Sequence, residues 1–184
     1  MTDEPIYQAL EVLRKGGIIL YPTDTVWGIG CDATNDEAVE RIYRLKRSGE
    51  KKSMLVLLDN PDKVSLYIRK VPDIAWQLSE VADKPLTLIL PGACAVAENL
   101  IPEEGTLGIR IPEHEFCKKL NRPLVSTSAN ISGQPAPRTY SEISQDIRQG
   151  VDLIVDPSLE GHPTRKASSI IRVGLSGEVN VIRP

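Results

Sequence analysis

The chain has 184 residues, 41% of them hydrophobic, enough to bury one core or a core with a small appendage. Its 22 basic and 25 acidic residues leave a formal charge of −3 and aromatics make up 4%, which argues against a whole-protein basic field or a base-stacking platform for nucleic acid. Cys31, Cys94 and Cys117 are far apart, no CxxC occurs, and the only histidines are His114 and His162, so three reduced thiols in a cytoplasmic protein are expected and no metal site or disulfide framework. The acidic start "MTDEPIYQAL" lacks the apolar stretch of a signal peptide, and no apolar run approaches the roughly 20 residues that cross a membrane.

Ile6, Leu10 and Leu13 recur at helical spacing, and Gly16-Gly17 ends that helix. "IILY" (18–21) reads as a strand. Asn35 reads as an N-cap, followed by acidic Asp36 and Glu37, with Val39, Ile42, Tyr43 and Lys46 along one helical face. "MLVLL" (54–58) is a strand without polar alternation, expected to be covered on both faces. Asn60-Pro61 and Val71-Pro72 each read as a helix start. "LTLIL" (86–90) and "LGIRI" (107–111) are further strands, and a short helix after Pro112 carries Phe116 and Leu120. "PLVSTSAN" (123–130) is a strand that ends in small polar residues. Ser141 is the expected cap of a helix through Ile147, and "DLIVD" (152–156), "SSIIRV" (168–173) and "VNVIR" (179–183) close the chain as strands. Helices alternate with strands, but the last strands lack helical connections. The expected class is therefore α/β with a mixed sheet, as one domain over residues 1–184.

Four features interrupt this pattern. Thr23-Asp24-Thr25 sits at the end of the first strand, with Gly28 and Gly30 beyond it. Hydroxyls there can hold a small polar ligand and glycine admits close backbone approach, although a Pro-led turn would read the same way. "LKRSGEKKSM" (45–54) gathers Lys46, Arg47, Lys51 and Lys52 around Ser48 and Gly49, which suits a polyphosphate or is a solvated charge run. Ser126, Thr127, Ser128 and Asn130 crowd a strand end before the loop "ISGQPAP". Buried there, each needs a partner. Arg110 lies inside an apolar strand, so it either pairs with an internal carboxylate or faces a site that receives an anion.

"YPTDTVWGIG", the Lys-rich loop before "MLVLL", "KPLTLILPG", "GTLGIRIPEH" and "STSANISGQPAP" occur in an order that resembles the YrdC-like domain of the threonylcarbamoyl-AMP synthase family, over Gly16 to Pro184. The resemblance implies a strongly twisted mixed sheet flanked by helices, with a deep concave cavity lined by strand ends. It places Thr25, Arg110, Ser126 and Ser168 on substrate threonine, with Arg110 on the carboxylate. Lys46, Ser48, Lys52, Thr106, Ser128, Asn130, Ala136 and Arg183 fall on the ATP side. Two positions depart from the family pattern: Ser48 stands where an arginine is usual, and Lys84 where a glycine is usual.

The implied reaction joins ATP, L-threonine and bicarbonate into threonylcarbamoyl-AMP with release of pyrophosphate, for threonylcarbamoyladenosine in tRNA. No protein nucleophile is implied. Mg²⁺ is expected to arrive with the ATP phosphates, since no carboxylate cage is visible, and downstream transfer machinery is the expected partner. The rival from another class is an RNA-binding module of the same fold, against which stand the acidic isoelectric point of about 5.5 and the few aromatics. A carbamoyl-phosphate-using relative would carry zinc-finger cysteines, which this sequence lacks.

Overall fold

The computed structural model describes residues 3–49 and 54–184. The first helix, α1 (Glu4–Arg14), buries Ile6, Ala9 and Leu13 on one stripe. Strands β1 (Ile19–Tyr21) and β2 (Gly28–Gly30) follow, then α2 (Asp36–Leu45), whose Asn35 cap accepts from the Ala38 N–H at 2.9 Å. Next come β3 (Leu55–Leu57), a 3₁₀ turn at Pro61–Lys63, α3 (Val64–Tyr67), α4 (Asp73–Val81), β4 (Leu86–Pro91) and β5 (Thr106–Arg110). The chain ends with α5 (Glu115–Leu120), β6 (Leu124–Ser128), α6 (Gln145–Gly150), β7 (Leu153–Ile154), β8 (Ser169–Val173) and β9 (Val179–Arg183).

Among the described residues the strands form one sheet in the order β7-β1-β2-β6-β3-β5-β4-β8-β9. The pairs β7–β1, β3–β5 and β4–β8 are parallel and the rest antiparallel, so the sheet is mixed, as the missing late crossovers imply. Because strand side chains alternate between faces, the sheet has two different sides. Leu20, Ile29, Val56, Leu88, Leu107, Ile109 and Val125 pack on one side with α2, α3 and α4 residues. Ile19, Tyr21, Leu57 and Leu124 pack on the other with Ile6 and Leu13 of α1 and Phe116 and Leu120 of α5.

Three local readings change. Ser144, not Ser141, caps α6 by accepting from the Ile147 N–H. The Ser141 hydroxyl is instead engaged with that of Thr139 at 3.0 Å, within a segment that makes only a 3₁₀ turn at Tyr140–Glu142. Lys46 is the C-cap of α2, past its apolar stripe. Strand β2 has no aliphatic run in sequence, since two of its three residues are glycine.

Those glycines make room for packing. A Cβ on Gly30 would stand 2.2 Å from the Val125 carbonyl oxygen and 2.8 Å from the Tyr21 ring, and one on Gly28 would stand 3.1 Å from Tyr21 Cζ. The Tyr21 ring crosses β2 and its hydroxyl donates to Val125 O at 3.2 Å. Gly30→Ala is therefore expected to destabilise the fold by about 1–3 kcal/mol in denaturant titration, the usual cost of overpacking against backbone. An unchanged midpoint would contradict this packing.

Candidate functional site

The face that carries α1 and α5 is covered by them only in part. Beyond them many of its strand positions are small or polar. Register fixes the arrangement: Leu55 of β3 pairs with Ser126 of β6 and with Gly108 of β5, Thr106 pairs with Pro91, and Gly28 with Ser128. The Leu88–Ile109 pair sets Thr87 across from Arg110. The Thr87 and Ser168 hydroxyls, both buried, meet at 2.7 Å. Alternation thus puts Thr106, Arg110, Ser126, Ser128 and Ser168 on one side of the sheet, in a trough floored by Gly108. These are five of the expected site residues. Thr87 joins them; its signal in the sequence is the lone hydroxyl in "LTLIL".

The turn after β1 closes one end of this trough. Thr25 N–H donates to Thr23 Oγ1 at 3.0 Å, and the Thr23 hydroxyl donates to Val26 O at 2.7 Å. Thr23 has only one hydroxyl proton. The 2.9 Å contact between the two hydroxyls therefore requires Thr25 to be the donor there, which leaves the lone pairs of Thr25 Oγ1 to accept from a ligand. Thr23 is 2% exposed and Thr25 5%.

Arg110 satisfies both of its expected readings at once. Its Nη2 donates to Asp24 Oδ1 at 2.8 Å, while its Nη1, buried, has no partner. A buried guanidinium with one unpaired edge is a receptor for an anion, and a carboxylate fits its planar fork. A cavity of about 590 Å³ reaches Arg110 and Asp24 from the side of α4: Leu88, Leu90 and Ile109 face Ala75 and Trp76, and Asp83, Lys84, Glu113, His162 and Thr164 also line it. The cavity thus joins an apolar wall to the ion pair of Arg110 and Asp24.

Lys46 leads from α2 to the end of β6, where its ammonium donates at 2.6 Å to both Ser128 O and Asn130 O. Burial pushes its pKa down to about 8. One of its three N–H donors is left over. Asn130 donates to Ile131 O and Gln134 O, and its Oδ1 is buried without a donor. Ser48 meets the Ser132 hydroxyl at 2.6 Å, and Ser132 N–H donates to Lys46 O, so the start of the basic loop is tied to the loop after β6. Arg47 turns away to Asp146 on the surface. Ala136 is exposed on that same loop. Arg183 donates through Nε to Ser168 O at 2.7 Å, joining β9 to the trough, and desolvation lowers its pKa. Lys52 lies outside the described residues.

Cys31 and Cys117 are buried, and Cys117 and His114 are engaged elsewhere. Burial raises the Cys31 thiol, and pushes Cys117 up to about 12, which keeps both protonated and unreactive. His114 Nε2 lies 3.1 Å from Leu159 O, and no described hydroxyl or thiol is hydrogen-bonded to a histidine. No three His, Cys, Asp or Glu residues cluster among the described residues as a metal cage would require.

A family model named Sua5_yciO_yrdC, described as "Telomere recombination", matches residues 11–184. A curated threonylcarbamoyl-AMP synthase of Pseudomonas fluorescens is 35% identical, with 97% of this chain and 96% of that protein covered. One from Stutzerimonas stutzeri is 34% identical, with 99% and 98% covered. Among solved structures, P. abyssi Sua5 complexed with L-threonine superposes with a TM-score of 0.85 at 27% identity, and E. coli YciO with 0.81 at 26%. The match covers 94% of this chain and 52% of the Sua5 chain, so this chain spans about half of that protein, but 99% of this chain and 89% of YciO.

Proposed function

The chain belongs to the Sua5/YciO/YrdC family, and from that premise we propose that it acts as a threonylcarbamoyl-AMP synthase, with residues 1–184 as one YrdC-like unit. The observation that carries the reading at residue level is the unpaired Nη1 of buried Arg110, at the end of a trough whose other polar residues are hydroxyls. Arg110 takes the threonine carboxylate. Thr25, Ser126 and Ser168 surround the amine and hydroxyl. Ser128, Thr106, Arg183 and the backbone at Ala136 take the nucleotide, and the free Oδ1 of Asn130 accepts from a base amine or a ribose hydroxyl. The remaining N–H of Lys46 faces phosphate, with Ser48 and Lys52 from the basic loop.

The chemistry then needs position more than reagents. The threonine amine combines with bicarbonate to give a carbamate and water. A carbamate oxygen attacks the α-phosphorus of ATP, the bond from that phosphorus to the α–β bridging oxygen breaks, and pyrophosphate leaves with the electron pair. Holding two reactants in line contributes roughly 7–11 kcal/mol in well-aligned systems, and buried cations add stabilisation of the developing charge. Mg²⁺ comes with the ATP phosphates, as part of the substrate. The product goes to a transferase that modifies tRNA, and a cytoplasmic location fits three unpaired thiols. The RNA-binding alternative has a net charge of −3 against it.

Pyrophosphate release from ATP is expected only when L-threonine and bicarbonate are both present. Equal release with threonine omitted would sink the synthase reading.

A further inference from the structure

A second polar pocket, of about 420 Å³, opens between the segment after the "SGQPAP" loop and the segment before β8. Arg138, Arg165 and Lys166 line it, together with Thr139, Thr164 and Glu142. Among the described residues none of the three cations has a side-chain ion-pair or hydrogen-bond partner, whereas most other described arginines do. The one carboxylate, Glu142, accepts from the backbone N–H of Arg138 at 2.6 Å. Three cations against one anion leave an excess of about two positive charges.

The backbone holds this charge where it is. Arg165 sits at φ +57, a left-handed conformation that costs a side-chain-bearing residue roughly 1–2 kcal/mol and glycine almost nothing. Its N–H donates to Thr25 O at 2.9 Å, and Thr164 N–H donates to Asp24 O at 2.9 Å, which fastens the pocket to the turn that closes the trough. Arg138 is two residues from Ala136. The pocket therefore borders both the threonine end and the nucleotide loop of the site. The basic loop, by contrast, spends what is described of it elsewhere: two donors of Lys46 on carbonyls, Ser48 on Ser132 and Arg47 on Asp146.

We propose that Arg138, Arg165 and Lys166 bind the β- and γ-phosphates of the nucleoside triphosphate and hold them as pyrophosphate leaves. This rests on the synthase reading, with Lys46 at the α-phosphate. A diphosphate group matches an excess of positive charge, and two guanidinium forks suit its oxygens. The substitution Arg165→Gly removes one cation and relieves the left-handed strain, so the fold is expected to be as stable or more so. Lys166→Ala and Arg138→Ala alter exposed side chains.

The test is calorimetry with pyrophosphate, ATP, AMP and threonine on the full chain and on these three variants. Pyrophosphate and ATP are expected to bind roughly 10- to 100-fold more weakly to each arginine variant, the equivalent of ~1.4–2.8 kcal/mol. AMP and threonine should bind as before, and Arg165→Gly should melt no lower than the parent. Unchanged pyrophosphate affinity overturns the proposal. So does an equal loss for AMP, which would mark a structural role. A parent protein that binds ATP and threonine while its variants keep full pyrophosphate affinity refutes only this pocket. A parent that binds pyrophosphate here yet releases none from ATP, threonine and bicarbonate refutes the synthase reading instead.

Discussion

Arg110→Ala is expected to raise the threonine dissociation constant by about 30-fold or more, and to leave ATP affinity nearly unchanged. The size follows from the ~2–5 kcal/mol lost when one partner of a buried charged contact is truncated. Arg110 is 4% exposed, so water replaces little of what the guanidinium provides. The variant also strips Asp24 of its ion-pair partner. Some loss of stability follows, moderated because the Asp24 side chain keeps 15% of its exposure. Asp24→Asn separates the two effects. It keeps the guanidinium and removes the anion that competes for it, so threonine should bind as tightly or more tightly. Calorimetry with normal threonine affinity in Arg110→Ala would reduce Arg110 to an ion-pair residue and take it out of the site.

Much of this site is legible in the sequence because it breaks a pattern. A charged residue in "LGIRI" and hydroxyls in "STSAN" have no place in a packed strand, so each asks for a partner; Arg110 finds Asp24 on one edge only, and Asn130 keeps its Oδ1 unpaired. The same logic finds Thr87 in "LTLIL". What the strand pattern does not give is which face a residue shares with which. That depends on the register between strands far apart in sequence, such as Leu55 with Ser126 and Gly108. The glycines of β2 admit a close approach, and what approaches is the Tyr21 ring and the Val125 carbonyl. A glycine shows that something comes close, but not what. Ser141 and Ser144 are equally good caps by composition. The choice falls to Ser144 because Ser141 is already bonded to Thr139. The pocket of Arg138, Arg165 and Lys166 draws on two segments 27 residues apart, each with too few cations to stand out.

Lys46 carries the other large effect, and its sign depends on pH. With a pKa pushed down to about 8, the side chain is an ammonium at neutral pH and an amine above that. A neutral amine still has two N–H donors, enough for Ser128 O and Asn130 O. What disappears on deprotonation is the third donor and the charge, which are the parts that face phosphate. ATP affinity is therefore expected to fall as pH rises through about 8, while threonine affinity in the absence of nucleotide stays level. Stability moves the other way. Between about 8 and the ordinary lysine value of 10.5 the unfolded chain holds a proton that the folded chain has shed, so the folded state gains as pH rises across that window. Lys46→Met removes all three donors and strands two carbonyls. Hydrogen bonds to charged groups contribute roughly 1.5–3 kcal/mol each, so the fold should weaken by about 3 kcal/mol or more and the ATP dissociation constant should rise by about 10- to 150-fold. Lys46→Arg keeps its charge throughout, and in that variant the fall in ATP affinity near pH 8 should vanish. An ATP affinity that is flat from pH 7 to about 9.5 in the parent protein would show that the ammonium serves only the two carbonyls of β6 and its loop.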